Sequence, residues 1–243
     1  MRRIFISDLH LDSRLPDITG TFFRFLEEEC SGCDELYILG DLFNYWIGDG
    51  QKTPYQAEVA RHLSEVSARK FFMAGNRDFL LGSSYCRRCG MLQIKDPTVI
   101  TAGANRVLLC HGDSLCTLDL SYQKFRRIRL NPVYRFLYFC LPMFIRQKIA
   151  DHIRAGAARD KQSKPLQIMD IVESDFFTMM DEYSCRICIH GHTHKPGMSS
   201  YENRGLTRYV LGDWNDSGFD YLEETDGCFR LIHRPLDSTG GCS

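Results

Sequence analysis

Five apolar runs of strand length in this chain each end in a loop that carries metal-binding side chains. Ile4 to Ile6 lead to Asp8 and His10, Leu36 to Leu39 to Asp41, and Phe71 to Met73 to Asn76 and Arg77. Val107 to Leu109 lead to His111, and Ile187 to Ile189 to His192 and His194. Short continuous apolar runs suit strands buried on both faces. Such strands belong to α/β architectures, where ligands gather beyond the carboxyl ends of the sheet. The repeated grammar predicts an α/β fold whose loops converge on one place.

The residue types at those exits fit a two-metal site for hydrolysing phosphate esters. Two divalent ions about 3.5–4 Å apart clamp a phosphate and make water nucleophilic near neutral pH. Carboxylate, imidazole and amide oxygen suit borderline-hard ions such as Mn, Fe or Zn. Asp8 and His10 are two apart, as are His192 and His194, so on extended loops each pair faces one side. Asp41 has two oxygens and is the candidate bridge between ions. Asn76 supplies a neutral oxygen and limits the negative charge that a phosphate must meet. Arg77 cannot act as a general acid, because its pKa lies above 12, but its planar fork can clamp a phosphate.

Composition narrows the partners. A formal net charge of −1 over 243 residues gives no global field for nucleic acid. The first apolar run stops at Asp8, too soon for a signal-peptide core, and no uncharged stretch reaches the ~20 residues of a membrane span. The expected compartment is the cytoplasm. Among 11 cysteines, three pairs have C-x-x-C spacing: Cys30 with Cys33, Cys86 with Cys89, and Cys185 with Cys188. Structural zinc is one reading. Against it, Cys185 and Cys188 fall in a predicted strand, where odd offsets face opposite ways. Cys86 and Cys89 fall on a predicted helix, and Cys30 and Cys33 flank a turn. Reduced, buried thiols are the expectation.

Residues 1 to about 115 alternate strand and helix signals, with helices near 17–30, 55–67 and 82–90, which implies a mainly parallel sheet. Val99 to Cys110 reads as a hairpin around Ala102-Gly103-Ala104-Asn105. The texture then changes. Eleven Lys or Arg and only two acids, Asp151 and Asp160, lie between Leu120 and Pro165, interleaved with aromatics. This predicts an inserted helical element over 117–166 within one domain spanning 1–243. A helix over 166–182 and short strands follow. The insertion has two readings: a helical hairpin with its cations in water, or a lid for an amphiphilic substrate or membrane surface. The apolar run Val133 to Ile145 is too short to span a bilayer. Phe43, Trp46 and Phe79 beside the motif loops read as packing residues first, with an acyl or uracil pocket as the alternative.

The ordered set Asp8/His10, Gly40/Asp41, Gly75/Asn76, His111 and Gly191/His192/His194 resembles the calcineurin-like metallophosphoesterase superfamily. The segments SDLHLD, YILGDLFNYWIGD, GNRDFLLG, HGDSLCT and IHGHTHKP are similar to those of UDP-2,3-diacylglucosamine hydrolases, which serve lipid A biosynthesis in Gram-negative bacteria. The resemblance covers nearly the whole chain. It implies a four-layer α/β/β/α sandwich with an inserted helical lipid-binding cap, and two Mn²⁺ ions, for which Fe or Zn could substitute. One ion would be held by Asp8, His10, Asp41 and His194, the other by Asp41, Asn76, His111 and His192. Asp41, Asn76, Arg77 and His111 would carry the catalysis.

The resemblance also implies substrate contacts from Asn76, Arg77, Asp119, Tyr122, Ala157, Lys161, Lys164 and His192, with Arg154 beside them. Relatives tend to carry small polar residues where this chain has Ala157 and Lys161. His190 lies outside the ligand pattern and reads as a hydrogen-bonded interior histidine. The implied reaction is water attack on the α-phosphorus of UDP-2,3-diacylglucosamine, giving UMP and 2,3-diacylglucosamine 1-phosphate (lipid X). The implied protein is a monomer, peripheral on the cytoplasmic face of the inner membrane, with no nucleic-acid partner. Two rival readings stand beside it: a broader metal-dependent phosphodiesterase or nuclease, and a non-enzymatic metal-bound scaffold.

Overall fold

Alternate residues of the first strands are buried in different cores, and this fixes the layering. The computed structural model describes residues 1–163 and 170–236, with side chains for 1–156 and 170–236. Strand β1 (Arg2–Ile6) sends Ile4 and Ile6 to one core and Phe5 to another. In β2 (Glu35–Leu39), Leu36 and Ile38 go one way, Tyr37 and Leu39 the other. Helices cover the first face: α1 (Pro16–Glu28), α2 (Pro54–Glu65) and α3 (Ser83–Arg88). Their starts are chemically marked. Pro16 and Pro54 open α1 and α2, and Thr53 and Gln56 form a reciprocal capping box.

Strands β3 (Arg69–Met73) and β4 (Met91–Ile94) continue the first sheet. The predicted hairpin forms β5 (Thr98–Ala102) and β6 (Asn105–Leu109) in a second sheet. Helices α4 (Leu120–Leu130), α5 (Pro132–Cys140) and α6 (Met143–Ser163) make up the insertion. Asp119 caps α4, and Asn131 caps α5 ahead of Pro132. The chain then runs through α7 (Glu173–Tyr183), β7 (Ile187–His190), β8 (Gly197–Tyr201), β9 (Leu206–Val210), β10 (Phe219–Thr225) and β11 (Cys228–Arg234).

The sheets are ordered β11-β10-β1-β2-β3-β4 and β5-β6-β7-β9-β8. The runs β1-β2-β3-β4 and β6-β7-β9 are parallel; antiparallel β10 and β11 extend the first on one side, and antiparallel β5 and β8 flank the second. The sheets pack through Phe5, Tyr37, Leu39, Met73, Val107, Leu109 and Ile189, while α7 covers the outer face of the second sheet through Phe176 and Met180. This is the four-layer α/β/β/α sandwich. The parallel β1-β2-β3-β4 is the mainly parallel sheet expected from residues 1–115; β10 and β11 join it from the far end of the chain, and β5 and β6 belong to the second sheet. The parallel runs align the carboxyl ends of β1, β2, β3, β6, β7 and β9 on one rim.

Candidate metal centre

The rim loops are held by backbone bonds that cross between them. Asp8 N–H donates to the Gly40 carbonyl at 3.1 Å, His10 N–H to the Asp41 carbonyl at 2.9 Å, and Gly191 N–H to the His111 carbonyl at 3.0 Å. Among the described residues, five of the seven non-glycine residues with positive φ lie here: Asp8 (54°), His10 (50°), Asp41 (54°), His192 (68°) and His194 (54°). The left-handed region is costly for such residues and persists where the surroundings over-determine it, commonly at functional sites. Asp8 and His10 therefore converge through successive left-handed turns, not through the extended loop expected from their spacing. Gly40 and Gly75 leave room for the approach. A Cβ on Gly40, whose φ is +95°, would sit 2.5 Å from His111 Nδ1, and one on Gly75 would meet the Asp41 carboxylate.

Two adjoining donor groups result. In one, His194 Nε2 lies 3.4 Å from Asp8 Oδ1 and 3.4 Å from His10 Nε2. In the other, Asp8, Asp41 and His111 bring ligand atoms within 4.8 Å of one another. Asn76 Oδ1 adjoins this second group, 3.0 Å from His111 Nε2 and 2.9 Å from His192 Nδ1. Asp41 faces both: Oδ2 is 3.8 Å from His10 Nδ1 and Oδ1 is 3.8 Å from His111 Nε2. Asp8 likewise belongs to both groups, a role the sequence reading gave to Asp41 alone. His111 Nδ1–H donates to the Leu39 carbonyl at 2.9 Å, which leaves Nε2 as the lone-pair donor toward the cluster.

Charge in this cluster is strongly coupled. Burial alone would lower His111, but Asp41 and Asp8 outweigh it and push its pKa up to about 9. His194 also rises to about 9, against burial, through Asp213 and Asp8. Burial and the neighbouring His111 hold His192 down to about 4. The same buried carboxylates that raise both histidines give the cluster the negative charge that a divalent cation would meet. Asp8 Oδ1 and His10 Nδ1 are buried without a hydrogen-bond partner. Buried polar atoms normally have partners, so these orphans, with the carboxylate–imidazole–amide donor set, fit divalent metal.

A cavity of about 610 Å³ opens from the cluster. His10, Asp41, Asn76, Arg77, His192 and His194 line it together with apolar Trp46, Phe79, Leu80, Phe125, Tyr138, Ile149 and Ile153, the last four from α4, α5 and α6.

The calcineurin-like phosphoesterase family model matches residues 1–196. Proteins named UDP-2,3-diacylglucosamine hydrolase are similar over nearly the full length. That of Shewanella sp. strain MR-7 is 44% identical over 242 residues, covering 98% of this chain and 100% of its own. That of Aeromonas hydrophila is 44% identical over 223 residues, covering 90% and 92%, and that of Marinobacter nauticus 40% identical over 241 residues, covering 97% and 99%. The chain belongs to the UDP-2,3-diacylglucosamine hydrolase family of calcineurin-like phosphoesterases.

Within this hydrolase fold, the cluster gathers all seven residues read as metal ligands. Arg77 lines the cavity, and its backbone N–H donates to Asp41 Oδ1 at 2.7 Å. Asp119 and Tyr122 also line the cavity, but both have structural work. Asp119 Oδ1 accepts from Tyr122 N–H at 3.0 Å and from Ser121 at 2.8 Å. The Tyr122 hydroxyl donates to Asp113 at 2.6 Å. Arg154 stacks 4.0 Å from the Tyr45 ring centroid, at the cavity wall. Ala157 and Lys161 lie on α6 beyond the described side chains, and Lys164 lies outside the described residues. His190 is fully buried, its Nδ1–H donating to the Gly191 carbonyl at 2.9 Å. Phe43 and Trp46 are buried with Tyr85, and Trp46 and Phe79 also face the cavity.

Among the described residues, neither potential metal-binding group includes a cysteine. Cys185 precedes β7 and is not in a strand, which corrects its expected placement. Eight of the ten described cysteines are buried thiols.

Sequence reading passed over three carboxylates. Asp213 lies 3.4 Å from His194 Nδ1, and it was legible: Leu211-Gly212-Asp213 after β9 repeats Leu39-Gly40-Asp41 after β2. Asp78, in G-N-R-D, accepts from Gly75 N–H at 2.8 Å with one oxygen and from Leu42 N–H at 2.8 Å with the other. Asp113, in H-G-D, anchors α4 through Tyr122, Arg126 and Arg129. Sequence shows these acids but not which backbone groups they meet.

Proposed function

We propose that this chain cleaves the pyrophosphate of UDP-2,3-diacylglucosamine by water attack on the α-phosphorus, releasing UMP and 2,3-diacylglucosamine 1-phosphate. The observation that carries the reading is the lining of one cavity. Its metal-binding side chains and Arg77 suit a diphosphate, and its many apolar residues suit acyl chains, a combination that a nuclease or a scaffold has no need of. The names of the relatives support the same substrate.

Asp8, His10, Asp41 and His194 would hold one divalent cation, and Asp41, Asn76, His111 and His192 the other. We take both to be Mn²⁺, with Fe and Zn suited to the same donors. Bound cations would polarise a phosphoryl oxygen and lower the pKa of water. Arg77 would offset charge that grows on the phosphate as water attacks. Asn76, held between His111 and His192, would keep a neutral oxygen beside the anionic substrate. Asp119 and Tyr122, which line the cavity, would contact the substrate, and the family resemblance implies further contacts from Ala157, Lys161 and Lys164.

Residues 117–166 would act as a lipid-binding cap. Among the described residues, no helix is long and apolar enough to cross a membrane. Yet α5 has no buried residue and exposes Val133, Phe136 and Leu137. That face supports peripheral contact with the inner leaflet of a Gram-negative inner membrane by a cytoplasmic monomer. Hydrolysis in ¹⁸O-water tests the chemistry. Label should enter UMP and not the lipid phosphate; label in the lipid product, or faster turnover of a dinucleotide, would defeat the assignment.

A further inference from the structure

One cation of the basic insertion is not on its surface. Arg129, on α4, is buried, whereas Lys124 and Arg127 on the same helix are exposed. Its guanidinium reaches two loops at once. Nη1–H donates to the Gly75 carbonyl at 2.9 Å, and Nη2 pairs with Asp113 Oδ2. Gly75 immediately precedes Asn76, and Asp113 lies two residues after His111. The fork therefore joins the β3 loop to the β6 loop beside the point where Asn76 Oδ1 meets His111 Nε2 at 3.0 Å.

We propose that Arg129 is a positioning residue that fixes Asn76 against His111, so that docking of the cap helix completes the second cation site. The inference rests on reading the cluster as a phosphoester-hydrolysing metal centre, and it adds a dependence of that centre on the insertion. Nothing on α4 other than Arg129 touches the Gly75 carbonyl among the hydrogen bonds of the described residues. The Arg129 guanidinium carbon also lies over the Phe79 ring, 5.1 Å from its centroid, a cation–π contact. Arg126 strengthens the attachment with a 3.0 Å bond to Asp113 and a 3.6 Å ion pair to Asp96, whose other oxygen accepts from His111 N–H. Arginine is required here because a planar fork serves two acceptors in different directions; an ammonium on a flexible stem serves one well.

The test uses the full chain with Arg129→Lys, Arg129→Met and, as a control for charge loss on the same helix, Arg127→Met. Mn²⁺ is titrated into metal-stripped protein, and kinetics are measured on bis(4-nitrophenyl) phosphate and on UDP-2,3-diacylglucosamine. Residues behind metal ligands typically change metal affinity or activity by about 10–100-fold. Both Arg129 variants should lose about tenfold or more in affinity for one of two Mn²⁺ ions, with kcat reduced on both substrates and KM for the acylated one little changed. Arg127→Met should match the parent. Arg129→Lys retains a cation near Asp113 and keeps the question open to measurement if Arg129→Met fails to fold. Wild-type Mn²⁺ affinity in Arg129→Lys, or a loss confined to KM for the acylated substrate, would overturn the proposal. If the parent leaves the sugar nucleotide untouched, the substrate assignment fails while the Mn²⁺ titration still decides the role of Arg129.

Discussion

Arg77 and Asp78 are neighbours with opposite duties. Arg77 lines the cavity, while the Asp78 carboxylate is buried and accepts backbone N–H groups from two loops. Arg77→Ala should keep its bound metal, because no ligand is lost, yet lower kcat by about 10²–10³, the usual loss when one charge-stabilising donor is removed. Arg77→Lys should recover part of the rate, since a point charge replaces a fork imperfectly. Metal analysis beside kinetics checks this, and a metal-free Arg77→Ala protein would assign the residue to structure. Asp78→Ala leaves two well-bonded N–H groups buried without acceptors, at about 1–3 kcal/mol each. Relief of a buried carboxylate offsets part of that, so a net loss of about 2–4 kcal/mol in chemical denaturation is expected. Asp78→Asn, which keeps one acceptor oxygen, should fall between. An Asp78→Ala protein as stable as the parent would show that water satisfies those groups. Neither role follows from the letters G-N-R-D alone: the motif marks the place, but only the crossing of loops shows which residue lines the cavity.

At the scale of elements, strand exits and helix starts were the legible part. An apolar run of four ending in Gly-Asp specifies its own neighbourhood, and Pro54 after Thr53 specifies a helix start. The left-handed turns at Asp8, His10, Asp41, His192 and His194 were not legible, because they are imposed by bonds between loops distant in sequence. The burial of Arg129 was hidden for the same reason: an arginine in a basic helix looks like its exposed neighbours until Asp113 and Gly75 are placed beside it. Helix α5 shows the opposite case, where spacing is informative. Val133, Phe136, Leu137 and Cys140 recur at i, i+3, i+4 and i+7, one face of a helix, and all four are exposed. Tyr138, on another face, lines the cavity. Serine at Val133, Phe136 and Leu137 together should leave thermal stability nearly unchanged, because the protein does not bury them. Co-sedimentation with anionic vesicles should fall about tenfold or more, on roughly 1.5–3 kcal/mol per fully buried large apolar side chain. Unchanged vesicle binding would remove α5 from the membrane reading.

At the scale of the whole molecule, the metal centre is also a joint. Asp8, His10, Asp41 and Asn76 come from the exits of β1, β2 and β3 in one sheet; His111, His192, His194 and Asp213 come from β6, β7 and β9 in the other. Cations held between them would clasp the two layers at one rim, with a structural effect separable from catalysis. A ligand that binds only the folded state stabilises it by about 2.7 kcal/mol at a hundred times its dissociation constant. For a chain of this length, each kcal/mol moves the melting temperature by about 2–4 °C, so metal should raise it by roughly 5–10 °C. The rise should follow the logarithm of free Mn²⁺ and reverse with a chelator. Asp41→Ala, which takes a carboxylate from between the two donor groups, should abolish most of the rise together with activity. His190→Ala removes a buried histidine outside both groups. It should lower the melting temperature with and without metal alike, leaving the Mn²⁺-dependent increment intact. An equal increment in Asp41→Ala and the parent, or none in the parent, would mean that the sheets are held by packing alone and that Asp41 does not join the two groups.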